Sequence, residues 1–143
     1  MKIRFEGYEA KVRDSFGRQD LMKTIGAELV RVEPGELEIW APVLDEVRQQ
    51  HGFAHAAVSF ALGDSAAGYA ALSLMEEPDE VLTVEMKINL LAPAQGERLI
   101  AIGRVVRPGR RLMVTASEVW AETGGKRVQV AMLQGTMIPA RPE

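Results

Sequence analysis

The sequence predicts an α+β fold, a single long buried helix with an antiparallel sheet curled around it. Residues 54–75 form an almost unbroken run of small and apolar side chains, interrupted by His55 and Asp64. From Leu82 onward the pattern switches to period two, with Leu82, Val84, Met86, Ile88 and Leu90 alternating with Thr83, Glu85, Lys87 and Asn89. The order along the chain is helix, two strands, long helix, then four long strands.

Each element has its own signal. Within residues 1–25 a helical stripe of Val12, Phe16, Gln19 and Met22 predicts an amphipathic N-terminal helix, ended by Gly26. Ala27 to Val32 and Glu36 to Ala41 read as strands joined at Pro34-Gly35. Pro42 stops the second, and Val43 to Gln49 leads into the central helix. That helix, over 54–75, ends before the turn-rich Glu76-Glu77-Pro78-Asp79. The strand beginning at Leu82 closes at Pro93 and Gly96, and its Leu82 face is expected to cover the helix while the Thr83 face looks elsewhere. Arg98 to Arg107, Leu112 to Ala121 and Arg127 to Ile138 complete the expected meander, with turns at Pro108-Gly109-Arg110 and Gly124-Gly125. Trp40 and Trp120 are read as core or subunit-contact residues, and Phe53 and Phe60, beside the helix start, as core packing ahead of the alternative that they border an acyl pocket.

A chain of 143 residues is expected to form a single domain over 1–143. A net charge of −3 counts against nucleic acid as the main partner. The absence of cysteine removes disulfides, thiol catalysis and thiolate metal sites. His51 and His55 lack a third ligand nearby, so no metal and no other cofactor is expected. The N-terminus carries no apolar secretory segment, which makes the cytoplasm the expected location. No membrane contact is expected, because the central run is rich in Ala and Gly and carries Asp64 at its middle.

Asp64 is the most informative residue. Apolar residues on every side of the helix predict that it is buried, over about 30 Å of length. A carboxylate there is either satisfied by a neighbouring donor or an exposed patch, or it is a desolvated group held for acid–base or nucleophilic work. Residues 48–54 contain no Ser, Thr, Asp or Asn to cap the helix, so its first amides are expected to be free, with Gly52 turning the entering chain. Free amides at a positive helix end suit an oxyanion. His55 and Asp64 are nine residues apart, facing opposite sides of the helix about 13 Å apart. If both serve one site, a two-fold dimer must bring them together from different subunits.

The stretch Gln49, Gly52, His55, Ala56, Ala57 and Asp64 resembles the helix-start pattern N-x-x-G-x-x-H-G-G, with an Asp nine residues after the His, of hotdog-fold acyl-CoA thioesterases of the phenylacetate-degradation (PaaI-like) type. The strand LTVEMKINLLAPA, residues 82–94, resembles that family's third strand. The resemblance covers most of the chain from about residue 20. It implies hydrolysis of an acyl-CoA thioester to free acid and CoA at a dimer-interface site, in a homodimer that pairs into a homotetramer. It implies Asp64 as nucleophile or general base, the Ala56 N–H as oxyanion donor, Gln49 as a substrate- or water-orienting amide, Thr83 as a partner of that water or carboxylate, and His55 as support for the helix start. Gln stands where the family often has Asn, and Ala56-Ala57 where it has Gly-Gly; Ala keeps the amide donor. Arg107, Arg110 and Arg111 are candidates for CoA phosphates or a solvated hairpin tip.

Two other readings fit the same residues. A non-catalytic acyl-CoA-binding hotdog module would bind without turnover. A hydratase or dehydratase would act on an enoyl or hydroxyacyl thioester with a His and an acid close in space. CoA release, double-bond hydration and binding alone separate the three.

Overall fold

The Ala- and Gly-rich run folds as a helix, α3 (Ala56–Leu72), and a six-stranded antiparallel sheet curls over it. The computed structural model describes residues 1–143. Before α3 lie α1 (Tyr8–Gly17), α2 (Asp20–Thr24), β1 (Glu28–Glu33) and β2 (Glu36–Pro42), with a short 3-10 turn at Asp45–Val47. After it come β3 (Glu80–Leu90), β4 (Arg98–Pro108), β5 (Met113–Thr123) and β6 (Lys126–Ala140). No helix is long and apolar enough to cross a membrane.

The single N-terminal helix expected from the stripe is two, α1 and α2, yet the stripe holds its face. Val12 and Met22 are fully buried, and the Phe16 ring meets the Tyr69 ring of α3 edge-on at 6.0 Å.

Strand order is β1-β2-β4-β5-β6-β3, which corrects the expected meander. β3 pairs with β6, not with β4. The reason is connection length. Gly124-Gly125 leaves β5 and β6 no choice but a hairpin. Leu91–Glu97, in contrast, can span about 23 Å when extended, and β4 lies three strand spacings away, about 14 Å. That link crosses the start of α3, where the Ala94 carbonyl accepts from the Ala54 N–H at 2.9 Å.

A second correction concerns β3 itself. Its partners jump from Thr83↔Met137 to Glu85↔Thr136, so Val84 is an extra residue in a β-bulge. One inserted residue reverses which side chains face the helix. Met86 and Ile88 pack on the core, whereas Leu82 and Val84 are 54% and 57% exposed. Thr83, expected to look elsewhere, is turned toward α3 instead.

The helix sits unusually close to the sheet because both sides of the contact are small. A Cβ at Gly103 of β4 would land on the backbone of Ala66 and Ala67. Beside it, buried Ser117 donates to the Gly63 carbonyl at 2.9 Å. At the other end of α3, Ser73 Oγ donates to Ala70 O at 2.6 Å and accepts from Gly35 N–H at 2.8 Å, tying the β1–β2 turn to the helix. On the face away from α3, Trp40 and Trp120 are half-buried, each indole N–H donating to a glutamate two residues earlier, Glu38 and Glu118.

Gly103→Ala should therefore cost about 1–3 kcal/mol, the usual penalty for overpacking. Urea melts would measure it against Gly17→Ala, where an added Cβ meets nothing within 4 Å. Equal midpoints for the two variants would mean that the helix is not seated on Gly103.

Candidate active site

Two separate constellations form on α3, one at its start and one at its middle. The first begins with the loop that enters the helix. Gly52 has φ +83°, a conformation that favours glycine, and lets residues 49–53 close on themselves. Gln49 N–H donates to Phe53 O at 2.8 Å, and Gly52 N–H to Gln49 O at 3.0 Å. The Gln49 side chain joins this closure, its Oε1 accepting from His51 N–H at 2.5 Å and Phe53 N–H at 3.3 Å. Its Nε2 makes no hydrogen bond within the chain.

The expected absence of a cap is corrected here. His55 is itself the N-cap, its Nδ1 accepting from the Ala57 N–H at 2.9 Å. An imidazole nitrogen accepts a helix amide as the oxygen of Ser, Thr, Asp or Asn does. With Nδ1 as acceptor, the ring proton resides on Nε2. The cap takes up the second amide of the helix and leaves the first. Ala56 N–H has no partner in the chain, and Ala56 is exposed. It opens on a groove of about 520 Å³ lined by Gln49, Phe53, His55, Leu90 and Leu91.

The second constellation is built by the bulge. Because Val84 shifts the strand, Thr83 Oγ1 reaches Asp64 and donates to Oδ1 at 2.8 Å, while lying 3.3 Å from Met137 Sδ. Asp64 is partly buried, and burial pushes its carboxyl above the ordinary carboxylate value. The Thr83 hydrogen bond pulls the other way without cancelling it. Asp64 thus has a donor and is also partly desolvated. Asp64 faces a chamber of about 300 Å³ whose floor is Gly68 and Tyr69 of α3, closed by Ser15 of α1 and by Gln19, the residue that opens α2.

The structure therefore brings Gln49, His55 and Ala56 together, and separately Asp64 with Thr83. It does not bring the two sets together within one chain, since no residue lines both spaces. Arg110 lies apart with Arg4 and Arg141, and Arg141 is paired with Asp79 and Glu76. No three or more His, Asp or Glu side chains are placed so that they could hold a metal ion. Sequence reasoning missed Ser15 and Tyr69 as site-lining residues, and took Gln19 only as part of a packing stripe. No local signal marked them, because Ser15 lies on α1 and Gln19 caps α2, and they meet only at the Tyr69 hydroxyl.

The chain has known relatives. Residues 51–128 match the Thioesterase superfamily. The chain is 31% identical over 103 residues to the 1,4-dihydroxy-2-naphthoyl-CoA hydrolase of Listeria monocytogenes, covering 72% of this chain and 84% of that protein. It superposes on a thioesterase family protein from Silicibacter pomeroyi with TM-score 0.93 at 45% identity, over 95% of this chain and 100% of that one. It shares the fold of the E. coli PaaI protein, with TM-score 0.83 at 19% identity over 95% and 94% of the two chains. With one long helix in a six-stranded antiparallel sheet and this match across its centre, the chain belongs to the thioesterase superfamily and is a thioesterase of the hotdog fold.

Proposed function

We propose that the protein hydrolyses an acyl-CoA thioester at a site completed by a second copy of the chain, the Ala56 N–H coming from one protomer and Asp64 from the other. The observation that carries this reading is the separation of a free helix-end amide and a desolvated carboxylate into two spaces of one chain. Neither space alone holds both an oxyanion donor and a base.

The chemistry follows from the parts. The thioester carbonyl oxygen accepts from Ala56 N–H, where the positive end of α3 favours the charge that develops on it. Asp64 takes a proton from water as the water oxygen attacks the carbonyl carbon. The tetrahedral intermediate collapses, the C–S bond breaks, and the CoA thiolate leaves and takes up that proton. Thr83 holds Oδ1 of Asp64 and leaves Oδ2 for the water. His55 keeps the first turn in place, and its Nε2–H is a donor, which suits a thioesterase better than a hydratase that needs a His base. Gln49 Nε2 faces the same groove as a free donor for the substrate.

The open edge of β3 supplies a way to join the halves. Leu91 N–H donates to Val130 O of β6, so counting back in twos the amides of Glu85, Lys87 and Asn89 face β6, and those of Met86 and Ile88 face the free edge. A two-fold axis through Glu85 or Lys87 would set like charges opposite one another, which is unfavourable. An axis at Met86 sets Glu85 opposite Lys87 of the partner subunit, twice. The same register carries Thr83, and with it Asp64, to the end of the partner strand where Leu90 and Leu91 line the Ala56 groove. The exposure of Leu82, Val84, Leu90 and Leu91, each above half, fits an edge that a second copy covers. Pairing of two such dimers into a tetramer is the further expectation of the resemblance.

Thiol release from acyl-CoAs tests the reaction. Asp64→Asn should lower kcat by roughly a hundredfold or more, the usual range for a lost general base. The raised carboxyl must be ionised to act, so kcat/KM should climb with pH through its folded-state pKa and level above it. The stability effect has the opposite sign: burial disfavours the charged form, so the parent loses stability as pH rises through that pKa. Asp64→Asn should match or exceed the parent melting temperature at pH 8, with the gain gone below the ordinary carboxylate range. Full activity in Asp64→Asn sinks the assignment. Binding of acyl-CoA without release by the parent would make the protein a binding module.

The interface has its own test. Met86→Cys in this cysteine-free chain should oxidise to a disulfide-linked dimer, since paired Cα atoms about 5.5 Å apart lie in disulfide range. Glu85→Lys should weaken the dimer, and Glu85→Lys with Lys87→Glu should restore it. A monomeric parent, or a double variant no better than the single, rules out this register.

A further inference from the structure

Six buried residues are polar or charged, and five of them are satisfied within the chain. Ser73, Thr115 and Ser117 donate to backbone carbonyls, Asp79 accepts from Arg141, and Glu122 accepts from Arg98 and Arg127. Ser59 is the exception. It is 1% exposed, and its hydroxyl has no partner in the chain, not even the carbonyl one turn back on its own helix that a helical serine commonly takes. Every fully enclosed side-chain oxygen is paired, so what little of Ser59 is exposed includes Oγ. That oxygen opens on the groove it shares with Ala56.

The surroundings make an unpaired hydroxyl unfavourable. Leu90, Ala92 and Val130 wall the groove beside Ser59, and an unsatisfied polar group among apolar side chains is costly unless a ligand completes it. Ala56 N–H, Gln49 Nε2 and His55 Nε2–H all present donors to the same space. Ser59 Oγ adds an acceptor to this set of donors.

Its place on the helix fits one part of the substrate. Ser59 lies three residues beyond Ala56 on the same side of α3, and helical side chains lean back toward the N-terminus. In a CoA thioester, the sulfur and two methylenes separate the thioester carbonyl from the first amide N–H, and extended they reach about the 5.4 Å of one helical turn. A carbonyl oxygen seated on the Ala56 N–H brings that amide within reach of Ser59. Resting on the thioesterase reading above, we infer that Ser59 is a substrate-binding residue whose hydroxyl accepts the first amide N–H of the CoA arm. The contact holds the leaving-group side of the thioester and is indifferent to the acyl group.

The test compares thioesters of one acyl group with N-acetylcysteamine and with 5-mercapto-2-pentanone, which differ only in NH against CH2 at the position Ser59 would hold. The acyl group is whichever of acetyl, hexanoyl and benzoyl the parent releases fastest from CoA. The readout is the ratio of kcat/KM within the pair, parent against Ser59→Ala, in which any intrinsic difference between the two thiols cancels. The parent's preference for the amide member should exceed that of Ser59→Ala by roughly five- to tenfold, the scale of one net hydrogen bond. On the CoA thioester itself, Ser59→Ala should raise KM by a similar factor with kcat little changed, and this arm decides if the truncated thioesters are not turned over. Ser59→Ala gives up no hydrogen bond within the chain, so it should melt with the parent, whereas Ser117→Ala, which loses the bond to Gly63, should melt lower. An unchanged ratio with an unchanged KM means that the hydroxyl holds only water, and it overturns the inference while leaving the thioesterase reading intact. A Ser59→Ala that melts as low as Ser117→Ala also overturns it, since the hydroxyl is then satisfied within the protein. No release from any of the three CoA thioesters overturns both.

Discussion

The contact on which the structure depends is the close seating of α3 against β4, where Gly103 faces the backbone of Ala66 and Ala67. A helix normally stands off a sheet by the depth of its side chains. Here the side chains are absent or a single methyl, so backbone meets backbone and the helix is sunk into the concave sheet. Dispersion gained over such a contact is collectively large because no gap is left. The Ser117 hydroxyl reinforces it by donating to the carbonyl just before Asp64. The carboxylate is consequently placed on a closely packed part of the molecule. A misplacement of an ångström at a reacting group is costly, which makes this a suitable mount for one.

One helix then presents two kinds of chemistry at two places. Its first amide is left over by ordinary helix geometry, and the His55 imidazole takes the next. Its middle carries a carboxylate that the core partly strips of water. Because a helix advances 100° per residue, the two face different ways, and no rotation of a side chain joins them. The bulge at Val84 is the compensating device on the sheet side. It turns Thr83 inward to hold Asp64, and it turns Leu82 and Val84 outward onto an edge that has no partner within the chain. The same inserted residue seats Thr83 on Asp64 and leaves an apolar edge exposed.

The polar chamber shows how a peripheral element can bear on chemistry. α1 buries Val12 and packs Phe16 on Tyr69, a contact that would be sufficient to explain the helix. Yet its Ser15, together with Gln19 just beyond its end, meets the Tyr69 hydroxyl within the space that Asp64 faces. A helix that looks like a cover over the core is also a wall of the site.

Much of this was legible in the chain. The apolar run, the switch to period two and the Pro and Gly turns are local signals, and each depends only on residues within a few positions of itself. They determined the α+β class, the central helix, the number of long strands and the prominence of Asp64. The nine-residue spacing of His55 and Asp64 determined that the two face apart, because helix geometry is nearly invariant. What tertiary structure alone decided was non-local. That β3 pairs with β6 follows from how far Leu91–Glu97 can reach, and that Val84 is bulged follows from fitting β3 to β6 across a twisted sheet. Neither is written in the period of β3, whose clean alternation predicted one apolar face. His55 as a cap and Tyr69 as the meeting point of Ser15 and Gln19 were hidden for the same reason: each acts through a neighbour whose position is known only once the chain has folded.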